Sequence, residues 1–199
     1  NLYGATKLTS DRLFVSGNSY TGSHNTKFSV VRYGNVMGSR GSVIPFFISI
    51  KGKQLFPITD NRMTRFMISL EEGVKLVWHA FDDMKGGEIY VKKISSMKVT
   101  DIALAVDENT KQEEVGIRPG EKLHEQMIGI EDALYTYEYP ENFKILPSIN
   151  DWAKDEARIG DGIRVPEDFT YTSNNNKEWM EISELKEWIK KNKSKIGNI

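Results

Sequence analysis

The sequence predicts a globular protein with an α/β fold and parallel strand pairing, and two observations support this prediction. Segments typical of strands and of helices alternate through the first half of the chain, which is the pattern of β-α-β units. The chain has 199 residues, of which 39% are hydrophobic and 28% are charged. This size and balance are typical of a globular protein with a hydrophobic core, and they suggest neither a disordered chain nor a fibre.

The individual elements follow from apolar patterns and from the residues that interrupt them. We predict strands over residues 28–33, 88–92 and 113–117. We predict helices over residues 5–16 and 70–84, and a short helix that begins at Pro45. A further helix is predicted to run from a cap at Thr100 to Asp107, and a short one to follow the turn at 118–121. The last predicted helix begins with a cap at Ser183. Ser69 and Glu72 form a capping-box pattern, and Gly86 and Gly87 end the helix that it opens. Residues 129–175 are rich in Asn, Asp, Pro and Tyr and are predicted to be irregular.

Composition and charge exclude several classes of function. The formal net charge is −1, so no broad basic surface for nucleic acid is expected. The absence of cysteine excludes disulfides and thiolate catalysis, and the three histidines lack the spacing of a metal site. No apolar run reaches the roughly 18 residues that span a bilayer, and the first residues lack a signal-peptide pattern. We therefore expect a cytoplasmic protein without a bound metal or a membrane segment.

Tyr3 and Lys7 are the first candidates for a catalytic site. Their i, i+4 spacing places them on one face of the predicted helix. A phenol has a pKa of about 10, and an ammonium group one turn away favours the phenolate and lowers this pKa. The pair is therefore a candidate for proton transfer, with an exposed helical pair without a function as the alternative.

Polar residues follow the predicted strand at 28–33, in the segment Arg32-Tyr-Gly-Asn-Val-Met-Gly-Ser-Arg40. In open α/β sheets, ligands bind outside the carboxyl ends of the strands. Asn35 and Arg40 are therefore candidates to meet a polar or anionic ligand. The alternative is that the glycines of this region only form turns.

Arg118 and Glu121, in the segment Arg118-Pro-Gly-Glu-Lys-Leu-His-Glu125, are candidates to hold a nucleotide. A guanidinium donates two parallel hydrogen bonds to phosphate, and a carboxylate accepts from ribose hydroxyls. A surface ion pair across a turn is the alternative. The pattern Gly-x-Gly-x-x-Gly appears nowhere in the chain, so a dinucleotide site of that kind needs residues before Asn1.

Five separated segments, taken in order, resemble the family of inverting UDP-N-acetylglucosamine 4,6-dehydratases of pseudaminic acid biosynthesis. The segments are residues 1–7, 30–47, 57–66, 86–90 and 116–125, and the likeness continues to residues 171–176. Joint agreement of separate motifs is far more specific than any one of them. The resemblance implies an NADP-dependent lyase acting on UDP-N-acetylglucosamine. In that reaction the sugar is oxidised at C4, water leaves across C5–C6, hydride returns to C6, and C5 is reprotonated from the other face.

The resemblance also implies a role for each matching residue. Tyr3 matches the base that removes the C4 hydroxyl proton, and Lys7 matches the lysine that lowers its pKa and holds the nicotinamide ribose. Both therefore contact the cofactor, as does Val36. The implied substrate contacts are Asn35 near the phosphates, Arg65 and Arg118 at the pyrophosphate, Glu121 at the ribose, and Pro57 and Thr59 around the uracil.

In the resembling family, an Asp-Lys pair for the elimination and a glycine-rich turn precede the position of Asn1. We therefore expect the chain to be the carboxyl-terminal part of such an enzyme, inactive on its own. The segment Ile48–Phe56 is shorter than the family pattern, and this weakens the match of Pro57 and Thr59 to the residues that contact the uracil in that family. UDP-sugar 4-epimerases and retaining dehydratases share the Tyr-x-x-x-Lys pattern and remain alternatives, as does an inactive sugar-nucleotide-binding module.

The implied architecture is the carboxyl-terminal part of an extended short-chain dehydrogenase/reductase. It combines the remainder of a Rossmann-type parallel sheet with a smaller substrate-binding lobe. Residues 1–37 and 66–92 would complete the NADP-binding domain, and residues 38–65 and 93–199 would form the domain for the UDP sugar. The resemblance further implies a homo-oligomer, with a hexamer expected, and a place in flagellin glycosylation.

Overall fold

The computed structural model describes residues 2–53 and 55–197, apart from the side chains of Tyr3, Ile149 and Asn150. The chain divides into two compact units. Unit 1 comprises residues 1–33, 74–93 and 126–171, and unit 2 comprises residues 34–73, 94–125 and 172–199. Each unit is therefore assembled from three separate stretches of sequence.

The helices are α1 (Leu2–Gly17), α2 (Val43–Ser49), α3 (Leu70–Asp83), α4 (Val99–Val106), α5 (Ile130–Ala133), α6 (Glu156–Ile159) and α7 (Ile182–Lys191), with 3-10 turns at Asn18–Tyr20 and Ile149–Lys154. The strands are β1 (Val30–Arg32), β2 (Asn35–Val36), β3 (Leu55–Ile58), β4 (Thr64–Ile68), β5 (Ile89–Lys92), β6 (Ser96–Lys98), β7 (Lys111–Glu114), β8 (Gln126–Ile128), β9 (Thr136–Glu138), β10 (Asn142–Ile145), β11 (Ile163–Arg164) and β12 (Tyr171–Thr172). The pairs β1–β5, β2–β4 and β3–β7 are parallel. The predicted α/β class with parallel pairing is therefore confirmed.

A mixed sheet with the strand order β1-β5-β10-β9-β11 forms the frame of unit 1. The pair β1–β5 is parallel, and the other pairs are antiparallel. Leu76 and Ala80, one turn apart on α3, pack against Tyr90 of β5 together with Val31 and Met84. The side of α3 that carries Leu76 and Ala80 therefore covers the parallel part of this sheet.

The prediction that residues 129–175 are irregular is wrong. These residues contribute β9, β10 and β11 to the sheet of unit 1, and β10 pairs with β5 from Asn142–Lys92 to Ile145–Ile89. The antiparallel pairing places residues 126–171 in the same compact unit as β1 and β5. The division by contacts thus differs from the boundaries expected from the sequence, whereas the cofactor-binding and substrate-binding roles of the two parts stay predictions.

Unit 2 contains a sheet with the order β2-β4-β6 and the separate pair β3–β7. Its core lies among α2, α4 and α7 and consists of buried apolar side chains. They are Met37, Ile44, Phe47, Phe56, Ile58, Met63, Met67, Met97, Val99, Ile102, Ala103, Ala105, Val106 and Leu185. Most residues of α4 are buried, so this short helix is the centre of the unit.

The start of α3 follows the predicted capping box. The Glu72 N–H donates to Ser69 Oγ at 3.2 Å, and the Ser69 N–H donates to Glu72 Oε2 at 3.0 Å. Gly86 and Gly87, with φ of 111° and 92°, follow the helix as predicted. The reciprocal hydrogen bonds of Ser69 and Glu72 satisfy two N–H groups that the first turn of α3 leaves free.

Two other predicted caps are wrong. Thr100 lies inside α4, because the Val99 N–H donates to the Met63 carbonyl at 3.0 Å and a backbone acceptor replaces a side-chain cap. Ser183 lies in the first turn of α7, and Glu181 caps this helix in a capping box with Glu184. Within the described ranges, no helix combines the length and the apolarity needed to cross a bilayer.

Candidate functional site

The predicted proton-transfer pair is carried by α1 in unit 1. This helix runs without a break from Leu2 to Gly17, so the helix predicted over residues 5–16 is confirmed and extends to Tyr3. Lys7 is exposed and lies one turn after Tyr3. The continuous helix keeps both positions on one face, whereas the side chain of Tyr3 lies outside the described residues. The catalytic role of the pair stays a prediction.

The turn that leads into β2 requires a glycine. A Cβ atom at Gly34 would lie 2.4 Å from the Phe66 Cβ and 2.8 Å from the Phe66 carbonyl oxygen. A larger residue would force β4 away, so Gly34 does more than form a turn. The close approach lets Asn35 and Val36 pair in parallel with β4. Asn35 and Val36, which are predicted to contact the substrate and the cofactor, are thereby held in the sheet of unit 2.

Glu125 is at the centre of a polar cluster in unit 2. Its Oε1 lies 2.9 Å from the Asn35 side-chain nitrogen, with the amide oriented to donate. Its Oε2 accepts the Phe66 N–H at 3.2 Å, and the Arg65 Nε lies 3.9 Å from Oε1. Burial raises the pKa of Glu125, and the Phe66 N–H and the Arg65 charge oppose that rise. The motifs did not identify Glu125 as a site residue, although it ends the segment 118–125.

Arg65 lies on β4 and is largely enclosed, with 15% of its side chain exposed. Its Nη1 donates to the carbonyl oxygens of Thr64 at 2.7 Å and Leu123 at 3.1 Å, and its Nη2 donates to that of Lys122 at 3.3 Å. These bonds attach the segment after Arg118 to β4. In the structure the guanidinium thus donates to backbone carbonyls, and the predicted contact with a pyrophosphate stays a prediction.

The predicted turn at residues 118–121 is confirmed. The Glu121 N–H donates to the Arg118 carbonyl at 3.0 Å, and the Arg118 N–H donates to the Glu121 carboxylate at 3.2 Å. The guanidinium of Arg118 is exposed. The helix predicted after this turn is wrong, because residues 121–125 form a bend held by Arg65, and β8 follows. The structure therefore brings together the two residues predicted to hold the nucleotide.

A chain of hydrogen bonds through Thr64, His124 and Ser173 fixes the same bend. Thr64 Oγ1 lies 2.8 Å from His124 Nδ1 and 2.7 Å from Ser173 Oγ. The Glu125 N–H donates to Ser173 Oγ at 2.9 Å, and Ser173 is fully buried. Sequence reasoning missed this chain because its members are far apart in sequence and form no motif.

Pro57 and Thr59 lie on either side of Ile58 at the end of β3, which pairs in parallel with β7. Phe56 and Ile58 are buried in the core, so the alternation of a strand places Pro57 and Thr59 on the opposite face. Both are half-buried, and Arg40, which follows β2, is exposed. Their predicted contacts with the uracil and with an anionic group stay predictions.

Comparison with known proteins finds relatives that are named as sugar-nucleotide enzymes. The UDP-N-acetylglucosamine 4,6-dehydratase (inverting) of Campylobacter jejuni is 51% identical over 95% of this chain and 59% of its own length. The UDP-glucose 4-epimerase of Rickettsia rickettsii is 34% identical over 95% of this chain and 57% of its own length. The chain therefore spans about three-fifths of the length of the curated relatives it matches. The resemblance to inverting dehydratases drawn from the motifs is confirmed.

The fold has a counterpart among solved structures. Pen from Bacillus thuringiensis matches with a TM-score of 0.82 and 36% sequence identity, over 97% of this chain and 59% of that one. The sequence profile of the polysaccharide biosynthesis protein family matches residues 1–147, which is most of the chain. Because this match covers well over half of the chain, the chain belongs to the polysaccharide biosynthesis protein family.

Proposed function

We propose that the protein is an inverting UDP-N-acetylglucosamine 4,6-dehydratase that uses NADP. The observation that carries this proposal is the higher identity to the Campylobacter dehydratase than to the Rickettsia epimerase, over the same share of the chain. Because the chain spans about three-fifths of those relatives, the proposal concerns the activity of the whole protein.

The residues of α1 fit the proton transfer that begins such a reaction. Tyr3, Lys7 and Val36 would hold NADP, which would supply the hydride transfer that oxidises the sugar at C4 and reduces it at C6. Tyr3 would accept the proton of the C4 hydroxyl. Lys7, exposed and one turn away, would lower the pKa of Tyr3 and donate to the hydroxyls of the nicotinamide ribose. Val36 on β2 would contact the same cofactor.

Residues of unit 2 are proposed to hold the nucleotide. The exposed guanidinium of Arg118 would donate to the pyrophosphate, and Glu121 would accept from the ribose hydroxyls. Pro57 and Thr59 would contact the uracil from the face of β3 that is turned away from the core. We also propose that Arg65 contacts the pyrophosphate and Asn35 the substrate near its phosphates, and that Arg40 contacts a polar or anionic part of the substrate.

The biological setting is proposed from the resemblance of the motifs. The product would enter the biosynthesis of pseudaminic acid, which is used in flagellin glycosylation. We propose that the enzyme works in the cytoplasm as a homo-oligomer, with a hexamer expected.

The test is to incubate the purified whole protein with UDP-N-acetylglucosamine and NADP. Mass spectrometry of a dehydratase reaction shows a product lighter by one water, and NMR of that product distinguishes inversion from retention at C5. An epimerase yields a product of unchanged mass with an altered configuration at C4, and this result would contradict the proposal. A sugar nucleotide that binds but is not converted would indicate an inactive binding module.

A further inference from the structure

We propose that Arg32 is a positioning residue that holds α1, and with it Tyr3 and Lys7, in the orientation that proton transfer requires. This inference rests on the proposed function. Arg32 is the last residue of β1, and 15% of its side chain is exposed. Its Nε donates to Asp11 Oδ2 at 2.7 Å, which joins β1 to α1 within unit 1. The sequence motifs assign no role to this pair.

The same guanidinium joins α1 to a second segment of unit 1. Its Nη1 donates to the Met127 carbonyl at 2.7 Å and to Asp132 Oδ2 at 3.0 Å. Asp132, on α5, is buried, and its other oxygen accepts from Arg12 of α1 at 2.9 Å. Two guanidinium groups and two carboxylates thus balance their charges around Arg32. A planar guanidinium can serve several acceptors in fixed directions, whereas a lysine ammonium is a single point of charge on a flexible stem.

The position of Asp11 on α1 connects this cluster to the proposed chemistry. Residues four apart lie above one another on a helix, so Lys7 is one turn and Tyr3 two turns before Asp11 on about the same side. Residues 5–10 are exposed, and Asp11 is half-buried. Rotation of the helix about its axis would break the bond to Arg32. That bond therefore sets the direction in which this face of α1 projects.

The carboxyl-terminal end of α1 has a separate attachment. Asn18 Nδ2 donates to the Phe28 carbonyl at 2.9 Å, and the Phe28 N–H donates to Asn18 Oδ1 at 3.0 Å. These bonds lie about three turns beyond Lys7. Loss of the bond at Arg32 should therefore loosen the first turns of α1 while the end of the helix stays attached.

The test compares Arg32→Gln, Arg32→Lys and Asp11→Asn with the matched control Arg12→Gln in the whole protein. Arg32→Gln should lower kcat by about 10- to 100-fold, since a misplacement of about 1 Å can cost this much, and KM for the UDP sugar should stay unchanged. Asp11→Asn should act in the same direction. Arg32→Lys should restore part of kcat, because an ammonium keeps one ion pair.

The control variant removes a guanidinium from the same helix and the same cluster. Arg12 bonds to Asp132, but 56% of its side chain is exposed. Its loss should leave kcat and the pH dependence of kcat unchanged, because Arg32 still holds Asp11. Equal losses in Arg12→Gln and Arg32→Gln would mean that the cluster only stabilises the fold.

Two further measurements separate positioning from stability. A displaced Lys7 favours the phenolate of Tyr3 less, so the acid limb of the kcat profile should move to higher pH in Arg32→Gln. Hydrogen–deuterium exchange of residues 2–17 should be faster in Arg32→Gln and Asp11→Asn than in the wild type and Arg12→Gln. The exchange measurement does not depend on activity.

The outcomes distinguish this inference from the proposed function. An unchanged kcat and pH profile in Arg32→Gln overturns the inference, as does a raised KM alone or unaltered exchange in α1. Should Arg32→Gln fail to fold, Asp11→Asn and Arg32→Lys decide the same question. If the wild-type protein converts no UDP sugar, the proposed function fails, and the exchange data still decide whether Arg32 holds α1.

Discussion

At the scale of single residues, Glu125 shows what a largely enclosed carboxylate requires. Taking a carboxylate out of water is costly unless hydrogen bonds and opposite charge compensate. Here the Asn35 amide and the Phe66 N–H donate to the two oxygens, and Arg65 lies nearby. The compensation is partial, because the net effect is a raised pKa. Glu125 therefore fixes the side chain of Asn35 while its burial lowers the stability of the folded state.

The raised pKa of Glu125 predicts a pH dependence of stability. A group whose pKa is raised by folding contributes most to stability below its ordinary pKa, here 4.5, and this contribution is lost as the pH rises through the raised value. Glutamine does not titrate. The free energy of unfolding of the wild type, minus that of Glu125→Gln, should therefore decrease as the pH rises from below 4.5. Urea unfolding at a series of pH values measures this difference.

Glu108 provides a control of opposite sign for the same experiment. Its hydrogen bond with Lys186 lowers the pKa of this carboxyl, so its contribution to stability is present above the ordinary pKa and is lost as the pH falls. Glu108→Gln should therefore show the opposite slope, and a small one because the pair is exposed. Equal slopes for Glu125→Gln and Glu108→Gln would contradict the assignment of burial as the cause.

Gly34 predicts a second effect at this scale. The Cβ of Gly34→Ala would meet Phe66 at 2.4 Å, so β4 must shift, and overpacking of this kind costs about 1–3 kcal/mol. Gly73→Ala is the matched control, because its Cβ meets nothing within 4 Å and alanine stabilises a helix by about 0.5–1 kcal/mol over glycine. Thermal unfolding of both variants tests the pair. A Gly34→Ala protein as stable as Gly73→Ala would refute the steric argument.

At the scale of elements, local signals predicted some segments well and long-range contacts decided the others. The helix α3 follows from its capping box and its apolar spacing, both of which are local. The strand β10 was missed because it contains Asn142 and Lys144, which are polar residues buried in the sheet. The charge of Lys144 is balanced by Asp83, whose Oδ2 lies 2.6 Å from the Lys144 Nζ. No local pattern can indicate this partner. Glu125 was missed for the same reason, since its partner Asn35 is remote in sequence.

The attachment of residues 118–125 to β4 predicts a difference between arginine and lysine at position 65. Arg65→Lys keeps the charge but cannot reproduce the bonds to the carbonyls of Thr64, Lys122 and Leu123. Charged hydrogen bonds are worth about 1.5–3 kcal/mol, so KM for the UDP sugar should rise about ten-fold or more. Faster hydrogen exchange in residues 118–125 should accompany the rise.

Arg62 offers the control for this substitution. It lies on the same stretch of chain, but 71% of its side chain is exposed. Arg62→Lys should leave KM and the exchange of residues 118–125 as in the wild type. If Arg65→Lys also keeps the wild-type KM, Arg65 acts through its charge alone and does not hold the segment.

At the scale of the whole molecule, the proposed proton transfer and the proposed binding of the substrate nucleotide fall into different compact units. Tyr3 and Lys7 belong to unit 1, and Arg118 and Glu121 belong to unit 2. Each unit has its own sheet, and among the described residues the core of unit 2 is built from side chains of unit 2. The steps of catalysis and of nucleotide binding are therefore expected to respond separately to substitution.

This separation predicts which pairs of substitutions are additive. Tyr3→Phe should lower kcat by about 10²–10⁴-fold, the usual worth of a positioned acid–base group. Arg118→Ala should raise KM, since a contact made equally in the ground and transition states affects binding, at about 1.5–3 kcal/mol.

The double variant of Tyr3→Phe with Arg118→Ala should show the product of both effects. Tyr3→Phe with Lys7→Ala should lose less than the product, because both act on one proton transfer. Steady-state kinetics and single-turnover absorbance of the nicotinamide measure these terms. Cofactor reduction at the wild-type rate in Tyr3→Phe would show that another group removes the C4 proton.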